Sequence, residues 1–163
     1  MVKRKLIIFD LDDTLLNDEH AVTELTVRAL DLVREMGHLT AFNTARSKMR
    51  SSDIFEAVKP DFAIYNGGAH ITDCEGNTIY EAEIKKDDCN LILEEISLIT
   101  DRYSVQNADW FYSANEDYEA PDVKYFDFEN EEFPTGAYKI IAFCDEPDRL
   151  LPVAEKYGLD FVT

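Results

Sequence analysis

The first third of the chain alternates short apolar runs with amphipathic stretches. Lys5–Phe9 is wholly apolar and rich in β-branched residues after its lysine, which predicts a parallel-type strand buried on both faces in the centre of a sheet. Thr23 is placed to cap a helix running from Glu24 to Met36, with Leu25, Ala29, Leu32, Val33 and Met36 at helical spacing and Gly37 at its end. A strand follows at Leu39–Asn43, a helix at Ser47–Val58 closed by Pro60, and a strand at Phe62–Tyr65. Strand, helix, strand, helix, strand is the order of a parallel, doubly wound α/β unit with right-handed crossovers.

After Gly68 the pattern changes. Ala69–Thr72 and Thr78–Glu83 read as a hairpin around Glu75-Gly76-Asn77. A helix is predicted over Asp87–Tyr103 with Leu91, Ile92, Ile96 and Ile99 on one face, then a bent strand over Ser104–Ser113. Residues 115–136 read as loop; Tyr138–Phe143 as strand; Glu146–Tyr157 as helix; Asp160–Thr163 as the start of a last strand. The domain reading is therefore an α/β core half over 1–68 and an α+β region over 69–163.

Composition narrows the partners. There are 34 acidic residues against 16 Lys and Arg, a net charge of −18, so a nucleic acid or an anionic membrane surface would be repelled. Lys3-Arg4-Lys5 is followed by only four apolar residues before Asp10, too few for a signal peptide, whose apolar region runs to about 7–15. The three cysteines, Cys74, Cys89 and Cys144, show no metal-ligand spacing. With no leader, they fit a reducing cytoplasm. His20, His38 and His70 are isolated, and the acidic, aromatic stretch Glu116–Glu132 reads as a solvated face. Trp110, Phe111 and Tyr112 read as packing residues.

Three polar clusters stand where ligands bind in open α/β sheets, at the C-terminal ends of strands. They are Asp10-Leu11-Asp12-Asp13-Thr14, Thr44-Ala45-Arg46 and Asn66-Gly67-Gly68. Two carboxylates two residues apart on a loop leaving a strand can face one pocket. One can attack phosphorus and the other can carry a proton. Two anions repel a phosphate unless a cation intervenes, which calls for a hard, oxygen-binding ion such as Mg²⁺. Thr44, with the amides of its loop, can bond phosphoryl oxygens. The bland alternatives are a capping cluster for Asp10, Asp12 and Thr14, an N-cap plus surface arginine for Thr44 and Arg46, and a plain turn for Asn66-Gly67-Gly68.

Ile7-Ile8-Phe9-Asp10-Leu11-Asp12-Asp13-Thr14-Leu15 closely resembles the first motif of the haloacid dehalogenase (HAD) superfamily, and Asn43-Thr44-Ala45-Arg46 its second, with Ala45 in place of the usual glycine. Ile64-Tyr65-Asn66-Gly67-Gly68-Ala69 resembles the turn of Cof-like phosphatases. The resemblance implies a Rossmann-like core. Asp10 would be nucleophile and metal ligand; Asp12 would be acid/base and would lend its backbone carbonyl to Mg²⁺. Thr44, Ala45 and Arg46 would hold phosphate, and Asn66, Gly67 and Gly68 would form a substrate loop. One helix and one strand fill the stretch from Thr14 to Thr44, so the insertion follows Asn66-Gly67 and is similar to a type IIB cap.

The family's third-motif lysine and G-D-x-x-N-D stretch are missing from these residues, which reads as a C-terminally truncated member. Two functions stay open: a Mg²⁺-dependent phosphohydrolase of small phosphorylated metabolites, and a catalytically silent fragment or partner-binding module. Lys139, Asp145 and Glu146 are candidate substitutes for the missing groups. An unfinished core also predicts self-association into a homo-oligomer if these residues are the whole protein.

Overall fold

The computed structural model describes residues 3–118, 120 and 122–162. They form two compact units, Met1–Ala82 and Glu83–Thr163 by their bounds. No helix among the described residues is long and apolar enough to cross a membrane.

The first unit is a five-stranded sheet in the order β1-β2-β3-β4-β5. Its strands are β1 (Leu6–Asp10), β2 (Leu39–Asn43), β3 (Phe62–Tyr65), β4 (His70–Asp73) and β5 (Thr78–Glu81). β1, β2 and β3 are parallel, with Ile8 opposite Ala41 and Asp10 opposite Asn43. β4 and β5 then add antiparallel. The hairpin expected to open the second region thus continues the first sheet, and the contact boundary falls after Ala82, not near Gly68. A hairpin needs a neighbour to bury its apolar side, and β3 offers a free edge.

Helices α1 (Glu24–Glu35) and α2 (Ser52–Val58) both pack on one face of this sheet. Leu30 of α1 and Ile54 and Val58 of α2 share one cluster with Phe42, Ala63, Tyr65 and the loop residues Leu11, Leu15 and Leu16. Thr23 caps α1 as expected, its hydroxyl accepting from Thr26 N at 3.1 Å. The predicted apolar face of α1 is rotated, however. Leu30 is buried, whereas Leu25, Leu32 and Met36 are 77%, 59% and 67% exposed. Arg34 fixes the helix by donating to Val58 O at 3.0 Å, which turns the Leu25–Leu32–Met36 stripe outward.

Among the described residues of the unit, no helix covers the opposite face in the same way. β1 is an edge strand, and Leu6 and Ile8 are 48% and 52% exposed. Within the described residues β1 thus borders one strand and is bare on one face, where a central strand buried on both faces was expected, and the helices lie on one side where double winding was expected. Two crossovers running in the same direction place both helices on one side.

The second unit has its own four-stranded sheet, ordered β8-β7-β6-β9. The strands are β6 (Tyr103–Gln106), β7 (Phe111–Ser113), β8 (Val123–Tyr125) and β9 (Lys139–Ala142), with helices α3 (Lys86–Ser97) and α4 (Leu151–Tyr157). The bent strand predicted over Ser104–Ser113 is a hairpin, β6 and β7, because Asn107 turns the chain. Its Oδ1 accepts from Asp109 N and Trp110 N at 3.0 and 2.8 Å. Phe133, fully buried, meets the rings of Tyr112, Phe126 and Phe128. Asn90 holds Phe133 in place, donating to its carbonyl and accepting from its amide. Leu91, expected on the buried face of α3, is 49% exposed, and Cys89 and Leu93 take that role. Residues 160–162 are not in a strand, and Thr163 lies outside the described residues.

Candidate active site

The loop after β1 owes its shape to alternating leucines and acids. Leu11, Leu15 and Leu16 are buried and anchor it, while Asp13 and Thr14 face out. Leu16 N closes a wide turn onto Leu11 O at 3.0 Å. Inside that turn Asp12 is extended and Asp13 is left-handed at φ 56°, a conformation aspartate tolerates better than most residues. Asp10, the last residue of β1, accepts from Leu11 N at 2.8 Å through one carboxylate oxygen.

Asp12 and Arg46 meet across the two strand ends. Arg46 Nε donates to Asp12 Oδ2 at 3.0 Å, and its NH2 nitrogen donates to Oδ1. This is the two-pronged geometry that suits a guanidinium to a carboxylate. Arg46 thus holds the second aspartate, although its expected partner was phosphate.

Thr44 directly follows β2 and is 3% exposed. Its hydroxyl oxygen accepts from Arg46 N at 3.1 Å, which leaves the O–H hydrogen to donate elsewhere. Ala45 is exposed beside it.

The Asn66 loop is tied to the Thr44 loop by main-chain bonds. Asn66 N donates to Arg46 O at 2.9 Å and Gly67 N donates to Thr44 O at 3.0 Å. Asn66, Gly67 and Gly68 all have positive φ, at 52°, 67° and 109°. Asparagine and glycine are the residues that accept this backbone at least cost. Asn66 is 9% exposed, and among the described residues neither its Oδ1 nor its Nδ2 has a hydrogen-bond partner. Buried amides are rarely left so.

Asp10, Asp12, Thr44, Ala45, Arg46, Asn66, Gly67 and Gly68 therefore lie at the C-terminal ends of β1, β2 and β3 or on the loops that follow them. Two neighbours were not foreseen. His20 Nδ1 stands 3.9 Å from Asp12 Oδ1. It is delivered by an Asx turn in which Asn17 Oδ1 accepts from Glu19 N and Ala21 N, and Asn17-Asp18 was the signal that could have found it. Lys48, just past Arg46, donates from Nζ to Gly76 O at 2.7 Å and ties the β4–β5 turn to this loop. His70, buried behind Tyr65, has its pKa lowered by burial and by the charge of Lys48.

Lys139, Asp145 and Glu146 belong to the second unit. Lys139 opens β9, and the two acids line a shallow cavity of about 330 Å³ with Arg102, Cys144 and Arg149. Among the described residues, no three His, Cys, Asp or Glu side chains gather to hold a metal ion. The donors at hand, a carboxylate of Asp10 and the backbone carbonyl of Asp12, are hard oxygens. They suit a Mg²⁺ ion that keeps most of its waters or takes phosphate oxygens.

The sheet, parallel from β1 to β3, sets two aspartates at one strand end and a threonine just past the next. Residues 7–156 match the haloacid dehalogenase-like hydrolase model, and the chain belongs to that family. It is 25% identical over 153 residues to the HMP-PP phosphatase of Shigella flexneri serotype 5b, covering 90% of this chain and 56% of that protein. The chain thus spans little more than half the length of the curated relatives it matches. In fold it is similar to a protein of Geobacillus kaustophilus HTA426, with TM-score 0.73, 20% identity, and coverage of 96% of this chain and 63% of that one. It is also similar to a HAD subclass IIB sugar phosphatase, with TM-score 0.58, 16% identity, and coverage of 97% and 77%.

Proposed function

We propose that this chain carries the nucleophile-bearing part of a phosphohydrolase for small phosphorylated metabolites. The observation that supports this most is the meeting of Asp10, Asp12, Thr44 and Arg46 at two adjacent strand ends. Asp10 has one carboxylate oxygen committed to Leu11 N and another for attack on phosphorus. The P–O bond to the leaving group breaks as Asp12 gives that oxygen a proton. Water then attacks the phosphoryl group on Asp10, and Asp12 takes the water's proton back. Thr44 offers its hydroxyl hydrogen to a phosphoryl oxygen. Asp12 has to release at least one oxygen from Arg46 to act, which frees Arg46 to turn toward the phosphate.

Asp10 and the Asp12 carbonyl are the groups that would hold Mg²⁺, which when bound screens the charge between carboxylates and phosphate. In this reading the second unit is the cap that selects substrate, and Asn66-Gly67-Gly68 is the substrate loop.

The test is turnover of an aryl phosphate with and without Mg²⁺, beside Asp10→Asn. Turnover that needs both supports the reading; turnover retained by Asp10→Asn defeats it. The second reading, a silent family fold that binds a partner, is favoured by the lack of a three-ligand metal cluster among the described residues. It predicts a folded chain with no turnover under any of these conditions.

A further inference from the structure

The segment after β2 is braced across the sheet by two basic side chains that reach in opposite directions. The strand order is β1-β2-β3-β4-β5. Arg46 reaches back to Asp12, beyond the end of β1. Lys48, two residues on, reaches forward past β3, and its Nζ donates to Gly76 O in the β4–β5 turn at 2.7 Å. Among the described residues no carboxylate pairs with Lys48, although the chain holds 34 acidic residues. Its cation goes to a neutral carbonyl, in a bond that the charge of the donor strengthens.

That carbonyl is a fixed point. Gly76 stands at φ 80°, a backbone that glycine adopts without a steric penalty. Gly76 N donates to Asp73 O and Asp73 N donates to Asn77 O, both at 3.0 Å. Asp73 Oδ1 accepts from Glu75 N and Asn77 N, both at 2.9 Å. The segment tied to this turn is irregular from Thr44 to Lys48. Its main-chain bonds run to β3 and the loop that follows it: Thr44 N donates to Ile64 O at 2.9 Å, Asn66 N to Arg46 O at 2.9 Å and Gly67 N to Thr44 O at 3.0 Å.

We infer that Lys48 is the positioning residue of this segment, and that its bond to Gly76 O keeps Thr44 and Arg46 turned to phosphate. The kinetic consequence rests on the phosphatase reading. In that reading Arg46 lets go of Asp12 at least in part during the reaction, and Lys48 is then the side chain that still ties the segment to the sheet. Without it the main-chain bonds remain but open more often, and phosphate is held less well.

His70 senses the same ammonium. It is 3% exposed, with Nε2 2.8 Å from Thr78 Oγ1 and Glu81 opposite it on β5. Burial, and then the charge of Lys48, hold its pKa below the usual histidine value, while Glu81 acts the other way.

The test compares the full chain with Lys48→Met, which keeps the stem without the cation, and Lys48→Arg, which keeps a cation of similar reach. Amide exchange followed by NMR should show Asn66 N and Gly67 N exchanging about tenfold faster in Lys48→Met, the order expected for losing a bond from a charged donor. Amides within β2 should be unchanged, and Lys48→Arg should stay close to the parent. The pKa of His70 should rise in Lys48→Met. With an aryl phosphate, KM should rise by a similar factor while kcat holds, the sign of lost binding common to ground and transition states. Unchanged exchange at Asn66 and Gly67 in Lys48→Met overturns the inference, as does a His70 pKa that does not move. Exchange that quickens evenly through β2 also overturns it, since that marks lost stability and not a lost position. A Lys48→Arg chain that behaves like Lys48→Met overturns it too. Absence of turnover in every chain defeats the phosphatase reading and leaves the exchange and His70 outcomes to decide the role of Lys48.

Discussion

Arg46 grips both carboxylate oxygens of Asp12 across 34 residues of sequence, one from Nε at 3.0 Å and the other from NH2. The two side chains are 26% and 44% exposed. A pair this open to water adds only about 0–1 kcal/mol to stability, so its importance lies in orientation. Arg46→Ala should leave the melting temperature almost unchanged. It should lower kcat/KM by about tenfold to a hundredfold, as expected for loss of a charge-assisted two-pronged contact. Arg46→Lys keeps the charge without the fork and should recover only part of that loss. Steady-state kinetics and thermal melts on the two variants check this together.

Asn66 makes a second, opposite prediction. Its buried amide has no partner for either polar atom, and its φ is 52°. Asn66→Gly removes the orphaned groups and keeps the left-handed backbone. An unsatisfied buried amide costs about 1–3 kcal/mol and glycine loses about 0.5–1 kcal/mol in chain entropy, so the variant should be more stable by about 1 kcal/mol. Turnover should fall if the amide contacts substrate, the usual exchange of stability for function. A urea titration shows the first effect and kinetics the second. A less stable variant would show that the amide has partners.

The two loops that carry these residues were legible in the sequence for a physical reason. The strand ends are marked by an abrupt change from apolar to polar residues, and the loop chemistry lies within a few residues of each mark. What could not be read was which side chains the surrounding elements would cover. Periodicity alone placed Leu25, Leu32 and Met36 on a buried face of α1, but burial follows the sheet on which the helix rests, and Arg34 turns that stripe outward. Ile8 read as central because an apolar run looks the same whether one or both of its faces are covered. The hairpin from His70 to Glu81 read as the start of a new region because edge pairing is a long-range choice. His20 reached Asp12 through an Asx turn whose direction the local sequence does not specify.

Stability should fall in alkali in a defined window. Burial pushes the Tyr65 hydroxyl from 10.0 up to about 12. Burial, helped by the charge of Glu83, pushes the Cys89 thiol from 9.0 up to about 12. Both folded-state values lie above the unfolded ones. The unfolded chain therefore loses these protons first, and the stabilisation present below pH 9 is lost as pH rises from 9 through 12. At about 1.4 kcal/mol per pKa unit the fall amounts to a few kcal/mol for each unit in which the group sits. Tyr65→Phe should shallow the first unit's share and Cys89→Ala the second's, as read by melting temperature against pH. In the native protein exposed Cys74 should react with a thiol reagent well before buried Cys89.

The claim that Asp10 is the nucleophile is tested most directly by catching the phosphoryl group on it. The chain is mixed with an aryl phosphate and Mg²⁺, quenched in acid and reduced with borohydride, and its peptides are analysed by mass spectrometry. The account predicts reduction of the carboxyl at position 10 only, lost in Asp10→Asn. Turnover with an unmodified Asp10, or with the label on another side chain, would contradict it.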